Sequence, residues 1–266
     1  VTIFKNEGCI INEWIKHYIS EGVDKIFMID NGSDDNYVLD DYDGLVEVVI
    51  DGARHQQVNL YNHYYLNKCK LYEWVLVCDL DEFIYSRNGY KTIKGYLHSL
   101  DDSISQIAIP WKMFGSSGFD TMDKPHPKNI IESFTKRVNY DKKELPPAAI
   151  IKDNNKYSHN KSIVRTKHLN CLDIHTHNTS SYNHITSDNN YGQIHGPFSK
   201  IDEMILSNSC LHLNHYAIQS FEWFMKVKAT RGAADNAQHE NVRDEKYFKT
   251  YDENDIDDIE LKMKVI

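Results

Sequence analysis

Cysteine is scarce in this chain, and what there is does not pair. Cys9, Cys69, Cys78, Cys171 and Cys210 are five residues among 266, odd in number and scattered. With no Cys-x-x-Cys, they argue against a structural zinc site and a disulfide framework, and they fit a reducing compartment. Long apolar runs are also missing: none approaches the roughly 20 residues that a membrane-spanning helix needs, so no integral membrane segment is expected. No secretory leader opens the sequence, which begins at Val1 inside a strand-like segment; a longer natural N-terminus is the expectation. Blocks of Lys and Arg are absent and the formal net charge is −9, which speaks against nucleic acid as a partner. An acidic protein can still hold a nucleotide diphosphate through a divalent cation. Gly115-Ser116-Ser117-Gly118 lacks the Lys-Ser/Thr ending of a P-loop. Sequons at Asn31, Asn160 and Asn178 carry little weight in so Asn-rich a sequence, and no internal repeat is present.

What is present is an alternation of strand and helix. Val1–Phe4, Lys25–Ile29 and Val46–Ile50 read as strands. Ile10, Ile11, Trp14, Ile15, Tyr18 and Ile19 mark one face of a helix that Gly22 can end in a left-handed conformation. A Tyr-rich helix is expected over Gln56–Leu71, followed by Trp74–Cys78, an apolar run suited to a strand buried on both faces. This order predicts a doubly wound, mostly parallel sheet. Farther on, Ile107–Trp111, Lys161–Arg165 and Leu211–Tyr216 read as strands, and Gln219–Arg231 as a helix facing inward through Phe221, Phe224 and Val227. Residues 120–129, 139–160 and 176–198 read as polar loops, the last as a lid. The acidic tail Asp252–Glu260 reads as a solvated helix or a partly disordered segment.

Parallel α/β sheets bind ligands beyond the carboxyl ends of their strands. Those ends carry Lys5-Asn6-Glu7, Asp30-Asn31, Asp51-Gly52 and Asp79-Leu80-Asp81-Glu82. On an extended chain Asp79 and Asp81 point the same way. Two adjacent carboxylates at the mouth of an apolar strand repel each other and lose hydration, and a hard divalent cation, Mn²⁺ or Mg²⁺, relieves both costs. A lone Asp-x-Asp is otherwise an ordinary polar strand end. Asp30–Asp35 can hold a ribose or base edge, or be a simple turn. Lys226 and Arg231 can reach a diphosphate or belong to a solvated helix face. Trp111 and Phe114 can carry a sugar ring or pack in the core. Among the fourteen histidines, His175 and His177 would share a face if extended, and His212 and His215 form a second cluster.

Lys5-Asn6-Glu7, Glu13-Trp14-Ile15, Gly22-Val23-Asp24, Asp30–Asp35 and Asp79-Leu80-Asp81-Glu82-Phe83 resemble glycosyltransferase family 2 and family 92 sequences. Trp111 with Phe114–Gly118, Lys161–Val164, and His215-Tyr216 with Ser220, Lys226 and Arg231-Gly232 are similar to later blocks of that pattern. The resemblance implies an α/β, GT-A (Rossmann-like) fold with a mixed, mostly parallel sheet flanked by helices over residues 1–232, and an acidic C-terminal extension over 233–266. It implies a nucleotide-sugar donor, most simply a UDP-sugar, a glycan or other hydroxyl acceptor, and hexosyl or pentosyl transfer with inversion. The donor-facing residues would be Lys5, Asn6, Glu7, Asp30, Asn31, Ser33, Gln57, Asp79, Leu80, Lys226 and Arg231. Asp79, Asp81 and His215 would face the metal. Asp120, Asp173, His175 and His177 are the candidates for the base. Relatives of this type are often tethered in the secretory pathway; without a tether, a cytoplasmic bacterial or viral enzyme is expected. The competing classes are a metal-dependent hydrolase or phosphodiesterase built on His-x-His, and a non-catalytic nucleotide- or glycan-binding module.

Overall fold

A computed structural model describes residues 1–144, 147–191, 194–232 and 243–265. Thr2–Phe4, Ile26–Asp30 and Val46–Ile50 form a parallel sheet in that order. Phe4 lies opposite Asp30, and Asp30 opposite Ile50. The strands therefore end level, and Lys5, Asn31 and Asp51 follow on one rim. The helix Gly8–Ser20 buries Ile10, Ile11, Trp14, Ile15 and Tyr18 against the sheet, each such side chain contributing about 1.5–3 kcal/mol. Gly22 ends this stretch at φ +88°. The helix Gln57–Cys69 covers the other side through Leu60, Tyr61 and Tyr65.

Val1 joins this unit to the larger sheet. Its backbone nitrogen donates to the Leu76 carbonyl at 2.7 Å, and the Cys78 N–H donates to the Val1 carbonyl at 3.2 Å. The strand Trp74–Leu76 then pairs antiparallel with the long strand Asn155–Arg165. That strand pairs with Gln106–Met113, which lies parallel to Leu211–His215; Leu211–His215 in turn runs antiparallel to Glu82–Ser86. The α/β arrangement with flanking helices is the expected one. Its parallel part is concentrated in the first three strands, and the larger sheet is mixed.

Three segments differ from the expectation drawn from composition. Ala149–Lys152 and Asn155–Arg165 form a hairpin, where a loop was expected over 139–160 and a strand only over Lys161–Arg165. Residues 176–198 are not an open loop among the described residues: His184–Thr186 lies parallel to Gln106–Ala108, and Ile194–His195 pairs with Phe198–Lys200. Backbone pairing with an already formed strand outweighs the polar composition. The acidic tail is docked rather than solvated. Ile256–Asp257 pairs with Lys136–Arg137, and Asp258 meets Lys112 at 2.9 Å and Arg137 at 2.7 Å. Residues 233–242 of the expected extension lie outside the described residues. No described helix is long and apolar enough to cross a membrane.

Candidate active site

The acidic motif is a turn, not an extended strand end: the Glu82 N–H donates to the Asp79 carbonyl at 3.1 Å. Two neighbours fix its shape. The Trp14 indole N–H reaches the carbonyls of Asp79 and Glu82, each at 3.0 Å, and the Tyr216 N–H donates to the Asp81 carbonyl at 2.8 Å. Leu80 turns away into the core with no exposed surface, so it does not face a donor. Asp79 and Asp81 nevertheless share one wall, that of a cleft of ≈ 470 Å³. A smaller hollow of ≈ 200 Å³ under the first helix, beside Trp14, Tyr18 and Trp74, carries none of the motif residues.

Each aspartate has a buried cation. Lys161 Nζ lies 3.0 Å from Asp79 Oδ2 and 3.5 Å from Glu82 Oε2. Lys228 Nζ contacts Asp81 Oδ2, and His215 Nε2 stands 3.5 Å from Asp81 Oδ1. Burial alone would raise the Asp81 carboxyl, but Lys228 and His215 overturn that and hold it well below the usual range. Asp79 is likewise lowered, burial being outweighed by Lys161. Glu82 goes the other way: its burial, with both aspartates beside it, raises it well above an ordinary glutamate. Its Oε1 has no hydrogen-bond partner among the described residues. Arg231 donates to the Lys5 carbonyl and to Glu7 Oε1, the latter at 2.8 Å, which places a guanidinium where the first strand ends.

The cleft brings together many of the expected residues: Lys5, Glu7, Asn31, Gln57, Asp79, Asp81, His175, His215 and Arg231 all line it. Gln57 Nε2 donates to the Tyr61 hydroxyl at 2.8 Å and approaches Asp79 Oδ1 at 3.4 Å. Asn6, Asp30 and Ser33 do something else. Asn6 N–H donates to Ser33 Oγ, Asn6 Oδ1 accepts from Asp34 N–H, and both Asp30 oxygens are taken by Ser33 N–H and the Tyr37 hydroxyl. They shape the loop beside the cleft and are not among its lining residues. Lys226 is exposed and paired with Glu222. The reason is spacing: Lys228 follows Phe221 and the buried Phe224 by seven and four residues, so it lies on their inward face while Lys226 falls on the opposite one.

The four candidates for the base separate. Asp120 is on the surface, paired with Lys124. Asp173 is exposed, its Oδ1 accepting from the Ile174 N–H. His177 is buried, its Nδ1 accepting from the Asp173 N–H at 2.9 Å and its Nε2 near the Ser162 carbonyl. Only His175 faces the cleft, so the shared face expected for His175 and His177 does not form, because residues 173–177 turn instead of extending. Phe114 is core, 1% exposed, whereas Trp111 lines the cleft. Lys161, Lys228 and His159 were not singled out from sequence. Lys161 and His159 alternate on one strand, whose polar residues Ser158, Asn160 and Ser162 give no sequence sign that the lysine is buried in an ion pair.

Among the described residues, no three His, Cys, Asp or Glu side chains stand together at metal-binding distances. The Asp81–His215 pair does suit a hard cation in its donor chemistry. Two ligands held at about 2.1 Å from one octahedral ion are about 3 Å apart, close to the 3.5 Å between Asp81 Oδ1 and His215 Nε2.

A parallel three-stranded rim, an acidic turn at the head of the next strand and an open cleft between them make a GT-A-like glycosyltransferase architecture. Residues 2–258 match the sequence pattern of Glycosyltransferase family 92, and the chain belongs to that family. It is similar to a glycosyltransferase family 92 protein of Ricinus communis, 28% identical over 130 residues, covering 44% of this chain and 22% of that protein. A second relative with the same family name, from Oryza sativa subsp. japonica, is 26% identical over 152 residues, covering 52% of this chain and 24% of that protein. The chain thus matches about a quarter of the length of these relatives.

Proposed function

We propose that the chain transfers a sugar from a nucleotide-diphosphate donor, a UDP-sugar first among them, to a hydroxyl of a glycan, with Mn²⁺ or Mg²⁺ and with inversion. The observation that carries this reading is the convergence of Asp79, Asp81, His215, Lys228 and Arg231 on one cleft beside the rim of the parallel strands. The nucleoside lies toward Lys5, Glu7, Asn31 and Gln57. Arg231, oriented by Glu7, and Lys228 meet the pyrophosphate. Asp81 and His215 would hold the metal, which neutralises charge building on the departing diphosphate, worth several kcal/mol by order of magnitude.

His175 takes the acceptor proton. Its Nδ1 lies 2.7 Å from the Asn160 carbonyl, which can only accept, so Nδ1 carries the hydrogen and Nε2 keeps its lone pair. Burial pushes this ring down to about 3, so it is neutral and weakly basic at physiological pH. In the step, the acceptor hydroxyl oxygen bonds to the anomeric carbon, its proton passes to Nε2, and the electron pair of the breaking C–O bond leaves with the diphosphate. The His-x-His hydrolase reading loses its basis, because His175 and His177 diverge.

The experiment is a thermal-shift series with UDP, with and without Mn²⁺, on the native chain and Asp81→Asn. A ligand that binds only the folded state raises its melting temperature. The native chain should shift with UDP only when Mn²⁺ is present, and Asp81→Asn should lose that shift. An equal response of both proteins would remove Asp81 from the donor site and the proposal with it.

A further inference from the structure

Beyond the two aspartates, on the side away from the parallel rim, the cleft wall consists of rings. Trp111 stands 4.2 Å from His215, 5.0 Å from His159 and 5.6 Å from His175, measured between ring centroids. His159 continues the array to Phe198 at 4.2 Å. The backbone beneath is fixed: the Trp111 carbonyl accepts from the Tyr140 hydroxyl at 2.7 Å and the Ser158 hydroxyl at 3.3 Å. Trp111 Nε1, His159 Nδ1 and Asn160 Nδ2 are buried and have no hydrogen-bond partner among the described residues. We propose that Trp111 and His159 form the acceptor seat, where a neutral pyranose ring lies against the indole and its hydroxyls meet the adjoining imidazoles.

Two observations favour a sugar over the donor's nucleotide here. The first is position. The level strand ends that face a nucleoside lie on the opposite side of Asp79 and Asp81, and two of the cleft's cations, Lys228 paired with Asp81 and Arg231 paired with Glu7, lie at the middle and on that opposite side. The second is charge. The rings are uncharged near neutrality, and Lys161, the nearest ammonium, is engaged by Asp79 and Glu82. An apolar aromatic face edged with neutral hydrogen-bonding groups suits the C–H face and hydroxyls of a pyranose, not a phosphate. The seat also places an acceptor hydroxyl beside His175, 4.9 Å from His159.

This assignment rests on the transferase reading, so its test carries a donor arm and an acceptor arm. In the first, UDP with Mn²⁺ is titrated calorimetrically into the native chain, Trp111→Ala, Trp111→Tyr and His159→Ala. In the second, with UDP and Mn²⁺ present, the same proteins receive β-linked galactotetraose, β-linked glucotetraose and α-linked mannotetraose. The expected result is saturable binding of at least one tetrasaccharide by the native chain. That binding should weaken tenfold or more in Trp111→Ala and His159→Ala, and largely return in Trp111→Tyr, with UDP affinity the same in all four. Unchanged tetrasaccharide affinity in Trp111→Ala overturns the seat, as does failure of all three sugars to bind the native chain. Loss of UDP affinity in Trp111→Ala assigns the rings to the nucleoside instead. Failure of UDP to bind the native chain, by contrast, counts against the transferase reading itself.

Discussion

Lys228 and Lys161 sit beneath the same acidic turn but differ in what surrounds them. Lys161 has no exposed side-chain surface and serves two carboxylates, Asp79 and Glu82. Lys228 serves Asp81 alone, and burial lowers its ammonium even though Asp81 opposes this. A cation brought by a donor would therefore find Asp81 compensated by a removable partner. Lys228→Met should leave the buried Asp81 carboxylate with His215 as its remaining partner, a loss of up to about 3–5 kcal/mol when one partner of such a pair is removed. Mn²⁺ should restore part of it, so the variant's melting temperature should rise with Mn²⁺ by more than the native chain's does. Melting curves with and without Mn²⁺ decide this; a variant as stable as the native chain in the absence of metal would mean the pair carries no weight. Lys161 was not legible in the sequence, because its strand Asn155–Arg165 is polar on both sides of it, at His159, Asn160 and Ser162. Lys228 was legible from spacing, because it follows Phe221 and Phe224 on the expected inward face by seven and four residues, whereas Lys226 falls opposite them.

The elements that periodicity could reach are those whose apolar residues recur at a regular spacing or in an unbroken run. The helices Gly8–Ser20 and Gln57–Cys69 and the strands Ile26–Asp30 and Val46–Ile50 fall within a residue or two of their expected spans. Where the expectation failed, pairing partners far along the chain decided the outcome. Polar His184–Thr186 is a strand because Gln106–Ala108 offers it an edge. Asn155–Arg165 is long because Trp74–Leu76, Gln106–Pro110 and Ala149–Lys152 all pair with it. The hairpin into that strand did leave a local mark. Asp153 and Asn154, at φ +50° and +60°, are residue types that tolerate the left-handed region of a tight turn. Both are exposed, so a substitution there tests the backbone alone. Asp153→Val should cost about 1–2 kcal/mol, the usual penalty for a side chain forced left-handed, while Asn154→Gly should cost nothing. Chemical denaturation of both variants measures it, and an Asp153→Val midpoint equal to the native one would rule out the turn.

Across the whole molecule, buried imidazoles recur in places that share no contact. His17 lies on the buried face of the first helix, His177 behind the cleft and His212 beside the docked tail, and burial pushes each down to about 4. His159 in the cleft wall behaves the same way. An unfolded histidine titrates near 6.5. Between pH 6.5 and 4 the unfolded chain thus takes up protons that the folded chain refuses, and stability falls as pH falls. Each ring contributes up to about 1.4 kcal/mol per pH unit in that window, and its contribution is complete above it. Glu82, raised by burial, works in the opposite direction, but it is one group against several. A second window lies lower. Asp258 is lowered from 3.8 to about 2, burial being outweighed by Lys112 and then Arg137. Its share, on the order of 2 kcal/mol, is present above 3.8 and lost as pH falls toward 2. Melting temperature should therefore drop steeply from pH 7 to pH 4, and the tail held by Lys112 and Arg137 should let go only below that. Melting curves across pH read the first window. Proteolysis or hydrogen exchange at residues 252–265 reads the second. A tail that loosens at pH 6, while the melting temperature is still level, would show that ion pairing to Asp258 does not hold it, and that the apolar contact of Leu261, 1% exposed, has to.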